Sequence, residues 1–165
     1  MDESKITVVN QWPIPTTVKQ LLAFLGLTSY YRRFIKNFAI IDEPLTNLLK
    51  KEAFRWSTHT EITFTTLKTT LTHAPVLVLP NFNQPFVLET DASSLGIGAV
   101  LTQNNHPIAF FSQTLTSRMQ QKSAYSREMH ANTDAVANFR HYLLGHKFVI
   151  KTDHQTLKEM QTQVI

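Results

Sequence analysis

The chain has 165 residues and a mass of 18.9 kDa, a length that suits one ordinary domain or two small ones. Apolar residues make up 42% of it and eleven are Phe, which argues for a packed core and against disorder. No apolar run approaches the roughly 20 residues that span a bilayer and no signal-peptide pattern opens the chain, while the lack of Cys removes disulfides, Cys–zinc sites and thiol nucleophiles. The net charge is +4. Up to position 70 there are nine basic and six acidic residues, and beyond it seven and six. This mild bias suits a phosphate-bearing partner and is, by itself, ordinary for a soluble domain.

The patterns change near Pro80. Before it the chain reads as short helices. Trp12-Pro13-Ile14-Pro15 predicts an extended approach, because a residue preceding Pro avoids the helical region. Thr16 or Thr17 then caps a helix with Val18, Leu21, Leu22 and Leu25 on one face, stopped at Gly26. Thr28 opens a second helix carrying Tyr31, Phe34, Ile35 and Phe38, and Asp42 a third, with Pro44 in its first turn. A fourth begins at Thr58 with Glu61 as a capping-box partner, and buries Phe64, Leu67 and Leu71.

Beyond Pro80 the pattern is strand-like. Residues 86–90 alternate into Asp91; residues 96–101 and 108–111 make two further strands, and the short joins predict an antiparallel meander. A long helix is expected over 123–144, ended by Gly145. Strand 148–152 then runs into Asp153, and residues 155–161 begin another helix. The order strand, strand, strand, helix, strand, helix is that of an α/β or α+β fold with a mixed sheet and packed helices.

Three of the six acids in this half stand where chemistry could use them. Asp91 ends the first strand, Glu128 lies in the first turns of the long helix, and Asp153 ends the fourth strand. If the first and fourth strands are neighbours, both Asp emerge at one sheet edge and Glu128 leans over them. Converging carboxylates repel unless a cation neutralises them, and oxygen donors select hard ions such as Mg²⁺ or Mn²⁺. Acids at strand ends and helix starts are also common for purely local reasons, so spacing alone leaves both readings open.

The wording around these acids is more specific. Residues 86–103 (FVLETDASSLGIGAVLTQ), 106–112 (HPIAFFS), 125–129 (YSREM), 140–145 (RHYLLG) and 148–158 (FVIKTDHQTLK) closely resemble the RNase H domain of gypsy-type long-terminal-repeat retrotransposon polyproteins. Upstream, residues 12–16 (WPIPT), 24–35 (FLGLTSYYRRFI), 44–51 (PLTNLLKK) and 54–56 (FRW) resemble the thumb and connection that follow the reverse transcriptase palm in the same polyproteins. The resemblance implies a division into 1–79, thumb and connection, and 80–165, an RNase H-like domain. It also implies that Asp91, Glu128 and Asp153 are catalytic and bind Mg²⁺ or Mn²⁺ for endonucleolytic hydrolysis of the RNA strand of an RNA–DNA hybrid. Lys19, Arg32, Arg33 and Lys36 would belong to the surface that tracks the duplex backbone, with binding insensitive to sequence and sensitive to salt.

Three departures accompany the resemblance. The chain stops at Ile165, so the family's fourth aspartate, last strand and closing helix are expected to be missing. No Asp-Asp pair and no polymerase palm are present. His130, Asn132 and Thr133 stand where the family usually places apolar residues, and an unpartnered buried polar group costs about 1–3 kcal/mol. These departures keep a second expectation open, a non-catalytic retroelement remnant that binds nucleic acid or protein. Without targeting signals, the expected location is the cytoplasm or nucleus.

Overall fold

The computed structural model describes residues 3–152, with side chains described from residue 6 onward. The expectations placed on Asp153 and on the helix over 155–161 lie outside the described residues.

The N-terminal part contains α1 (Glu3–Gln11), α2 (Val18–Tyr30), a 3-10 turn (Arg32–Phe34), α3 (Phe38–Asn47) and α4 (Thr58–Thr72). Thr17 caps α2 by accepting the N–H of Gln20, as the sequence predicts. Gly26 does not end the helix, which continues through it to Tyr30. The stretch expected as a second helix is reduced to the 3-10 turn, and α3 begins at Phe38, four residues before Asp42. Asn37, left-handed at φ 56° and ψ 28°, turns the chain into α3. On α4 the cap is Ser57, whose reciprocal partner in the capping box is Thr60 and not Glu61. Leu21, Phe24, Leu45, Phe64, Leu67 and Leu71 close a core between these helices.

Four strands follow: β1 (Phe86–Ala92), β2 (Gly96–Gln103), β3 (His106–Thr114) and β4 (Phe148–Thr152). Their order across the sheet is β3-β2-β1-β4. The first three form the expected antiparallel meander, and β4 returns parallel to β1. The crossover between β3 and β4 carries α5 (Ser117–Gln120), α6 (Ala124–Asn138) and α7 (Arg140–Leu143). The single long helix expected here is thus broken at Phe139, a fully buried ring packed near Phe111 and Tyr142.

The two faces of the sheet are covered differently. Phe86 and Leu88 alternate inward toward α6, with Ala135 and Phe139 in the same core. The 3-10 turn and α3 lie against β3 on the other face. Asp91, Gly98 and Ser112 are cross-strand partners and form one row on that second face. Among the described residues no helix is long and apolar enough to cross a membrane.

Candidate functional site

The site is organised around the C-terminal end of β1. Burial alternates along this strand, so Leu88 and Thr90 point into the core while Glu89 and Asp91 face outward. Asp91 is exposed and lies opposite Gly98 of β2.

Backbone bonding explains how Glu128 joins it. The N–H of Ser93 bonds the Gly96 carbonyl and that of Phe86 the Lys147 carbonyl. Alternation along the strand therefore directs the N–H of Ala92 toward the β4 side. The last pair of the β1–β4 ladder is Thr90 with Thr152. Beyond it, the Ala92 N–H donates to Glu128 Oε1 at 3.1 Å. One carboxylate oxygen of α6 is thereby fixed at the residue following Asp91.

One turn further along α6, Asn132 makes a second link to the same strand: the Thr90 hydroxyl donates to Asn132 Oδ1 at 2.5 Å. Asp91 is thus bracketed by two bonds from α6, at positions 90 and 92. The polar residues expected to weaken this helix all have partners. His130 Nε2 lies 3.4 Å from Asp134 Oδ2, and the Thr133 hydroxyl donates to the Met129 carbonyl at 2.9 Å. The expected burial penalty is replaced by local pairing and by the link to Thr90.

Of the three acids singled out in the sequence, the structure brings Asp91 and Glu128 to one strand end. Asp153 lies outside the described residues; Thr152, which precedes it, registers with Thr90, which precedes Asp91. Among the described residues no three His, Cys, Asp or Glu gather in an arrangement that could hold a metal ion. The donors present at the strand end are carboxylates, hard oxygen ligands of the kind Mg²⁺ and Mn²⁺ take, so the residues fit such an ion in kind.

The basic residues are spread unevenly. Lys19, Arg33 and Lys36 are exposed, Arg33 with its guanidinium over the Phe34 ring. Arg32 is tied to the sheet, its Nη2 donating to the Ser112 carbonyl at 3.0 Å. Asp42 of α3 has its pKa pushed up to about 6 by burial, opposed in part by the Arg32 charge. Sequence reasoning did not single out Asp42 as a titrating group, because its shift comes from burial in the fold, nor Asn132 as a link to the site, because its partner Thr90 is remote in the chain.

A four-stranded mixed sheet with the β3-β2-β1-β4 order, a helix delivering a carboxylate to the end of β1, and helices on the opposite face define an RNase H-like domain. The sequence profile of the RNase H-like domain found in reverse transcriptase matches residues 56–150, and the chain belongs to that family. It is 47% identical over 156 residues to the retrovirus-related Pol polyprotein from transposon 297 of Drosophila melanogaster, covering 93% of this chain and 15% of that polyprotein. It is 38% identical over 170 residues to the Pol polyprotein from transposon gypsy of the same species, covering 94% of this chain and 16% of the relative. The chain therefore spans only about a sixth of such relatives. Its fold is that of a region of the foamy viral protease-reverse transcriptase. The structure of that protein in complex with double-stranded DNA superposes with a TM-score of 0.88 at 19% identity, over 100% of this chain and 30% of the other. The structure in complex with RNA/DNA hybrid gives 0.87 at 20% identity, over 98% and 23%.

Proposed function

We propose that the chain is the connection and RNase H portion of a retrotransposon reverse transcriptase, and that it hydrolyses the RNA strand of RNA–DNA hybrids in a Mg²⁺- or Mn²⁺-dependent reaction. Residues 1–79 act as the thumb and connection, and 80–165 as the catalytic domain. The observation that carries the reading is the bond from the Ala92 N–H to Glu128 Oε1, which holds a helix carboxylate beside Asp91 in a chain of this family.

Asp91, Glu128 and Asp153 are the residues that would hold the ion. A divalent ion there supplies neutralisation of the phosphodiester's charge and polarisation of its oxygens. The protein's own part is placement. Asp91 projects outward from a strand fixed in the sheet, and Glu128 is oriented by its bond to the backbone. Lys19, Arg33 and Lys36, with Arg32 partly engaged by Ser112, contribute the salt-sensitive attraction for the duplex backbone.

A labelled RNA–DNA hybrid incubated with the protein and Mg²⁺ or Mn²⁺ tests the reading. Cleavage confined to the RNA strand and abolished by Asp91→Asn supports it. Equal background from both proteins sinks it and leaves the second reading, a module that binds without cutting.

A further inference from the structure

A cleft of about 350 Å³ opens on the face of the sheet away from α6. Asp91, Glu89, Gly98 and Lys151 line it from the sheet, and Lys36 and Asn37 line it from the helical part of the chain. Lys36 and Asp91 are far apart in sequence and on opposite sides of Pro80, so their shared cleft must be created by the packing of the two parts.

That packing is built at several points along the row Asp91–Gly98–Ser112. Arg32 donates to the Ser112 carbonyl, and the Ala39 N–H donates to Ser112 Oγ at 2.9 Å. Both glycines of β2 are occupied from above: a Cβ at Gly98 would lie 2.5 Å from Asn37 Oδ1, and one at Gly96 would lie 2.9 Å from Ile40 Cγ1. At either position a Cβ would force the covering side chain, or for Gly96 also the neighbouring Gln113 carbonyl, to shift. Asn37 makes the corner itself through its left-handed backbone. The two glycines, which by sequence are only strand residues, are what let the connection descend onto the sheet beside Asp91.

The charges in the cleft are not equivalent. Lys151 is engaged by Glu89 across the β1–β4 pair, at 3.8 Å. Lys36 is exposed and has no ion pair among the described residues. It is a lysine on a fixed corner, with a flexible stem and a compact charge suited to a phosphate oxygen. It shares the cleft with the carboxylate Asp91.

We infer that the Asp91 cleft is a composite site, in which Lys36 of the connection holds a backbone phosphate of the strand that is cut. The inference rests on the proposed RNase H reading and deepens it. The helical part is not only a remote surface for the duplex; one of its residues stands in the cleavage cleft. The ligand class is a nucleic-acid phosphodiester, contacted by charge and without reference to base identity.

The test is fluorescence anisotropy of a labelled RNA–DNA hybrid in EDTA over a series of salt concentrations, so that no cleavage intervenes. Lys36→Ala is expected to weaken binding about three- to tenfold and to lower the slope of log affinity against log salt by about 0.9, one phosphate contact. Lys36→Arg is expected to retain the slope. Lys147→Ala, which removes the same charge outside the cleft, is expected to change affinity less than about twofold. Asp91→Asn is expected to strengthen binding in EDTA at least about twofold, since it removes a negative charge from the path of the phosphate. The inference is overturned if Lys36→Ala and Lys147→Ala behave alike, if Asp91→Asn leaves affinity unchanged, or if the wild-type protein shows no salt-dependent binding. The two proposals separate cleanly. RNA cleavage that depends on Asp91 but not on Lys36 removes the composite site alone, whereas Lys36-dependent binding without any cleavage removes the ribonuclease reading and leaves only a phosphate contact by Lys36 in the cleft.

Discussion

The Thr90–Asn132 bond offers a sharp energetic test, because it is a side-chain link between α6 and β1 on the buried side of the strand. Thr90 is 7% exposed, and its hydroxyl donates to the partly buried Asn132 Oδ1. Thr90→Val keeps the shape of the strand residue and strands the carboxamide oxygen. A fully buried orphan costs about 1–3 kcal/mol, and partial exposure of Asn132 places this one near the lower half, about 1–2 kcal/mol. Asn132→Leu strands the Thr90 hydroxyl at a similar cost, offset in part by the apolar area it adds. The double variant removes both partners and is expected to lie close to the wild type, because two apolar groups of matching shape leave nothing unsatisfied. The coupling energy, the effect of the double variant less the sum of the two singles, is then about 2–3 kcal/mol in magnitude. Urea unfolding followed by circular dichroism resolves it, since an m-value of about 1–3 kcal/mol/M turns the ~1–2 kcal/mol of Thr90→Val into a midpoint shift of roughly 0.3–2 M. Additive single effects, within about 0.5 kcal/mol, would refute the bond as a link between helix and strand.

Other expectations follow from neighbouring contacts. Asp42 has a folded-state pKa raised to about 6, so the folded protein holds a proton there that the unfolded chain releases at lower pH. Stability should therefore fall as pH rises from about 4 to about 6, and level off above. Asp42→Asn removes this loss, with a gain at pH 7 of about 1–2 kcal/mol after allowing for solvent screening and none at pH 4, measured by thermal or urea unfolding. An unchanged pH profile in that variant would refute the assignment. Gly96→Ala forces a Cβ to within 2.8 Å of the Gln113 carbonyl and 2.9 Å of Ile40. It should cost about 1–3 kcal/mol; a neutral result would mean that α3 does not press on β2. Ser112→Ala removes the acceptor of the Ala39 N–H, and is expected to speed proteolysis between 30 and 50 and to cost about 1 kcal/mol.

The strands and the position of Asp91 were legible because period-two alternation and short joins are local signals. The strands expected over 86–90, 96–101 and 148–152 are found over 86–92, 96–103 and 148–152. The helix carrying Glu128 was legible too, but its break at Phe139 was not. Phe139 continues the apolar periodicity, and only its insertion beside Phe111 shows why the helix turns there. Asp42 looked like a cap by residue type, whereas Asn37 begins α3 through backbone conformation without a side-chain cap bond. Gly96 and Gly98 carry no local sign that Ile40 and Asn37 cover them, since that approach is set by the packing of distant segments. The polar residues of α6 were read as a weakness because Asn132 and its partner Thr90 are 42 positions apart. Composition and periodicity describe a residue's own element; they do not disclose the partner that crosses the fold to meet it.

Asp91 and Glu128 are proposed to serve one divalent-cation site. Titration of the protein with Mn²⁺, with free ion counted by electron paramagnetic resonance, tests this without dependence on any substrate. Asp91→Asn and Glu128→Gln should each weaken Mn²⁺ binding by about tenfold or more, corresponding to at least about 1.4 kcal/mol, while Glu89→Gln, on the same strand but paired with Lys151, leaves it within about twofold. Wild-type affinity retained in both Asp91→Asn and Glu128→Gln would contradict the claim.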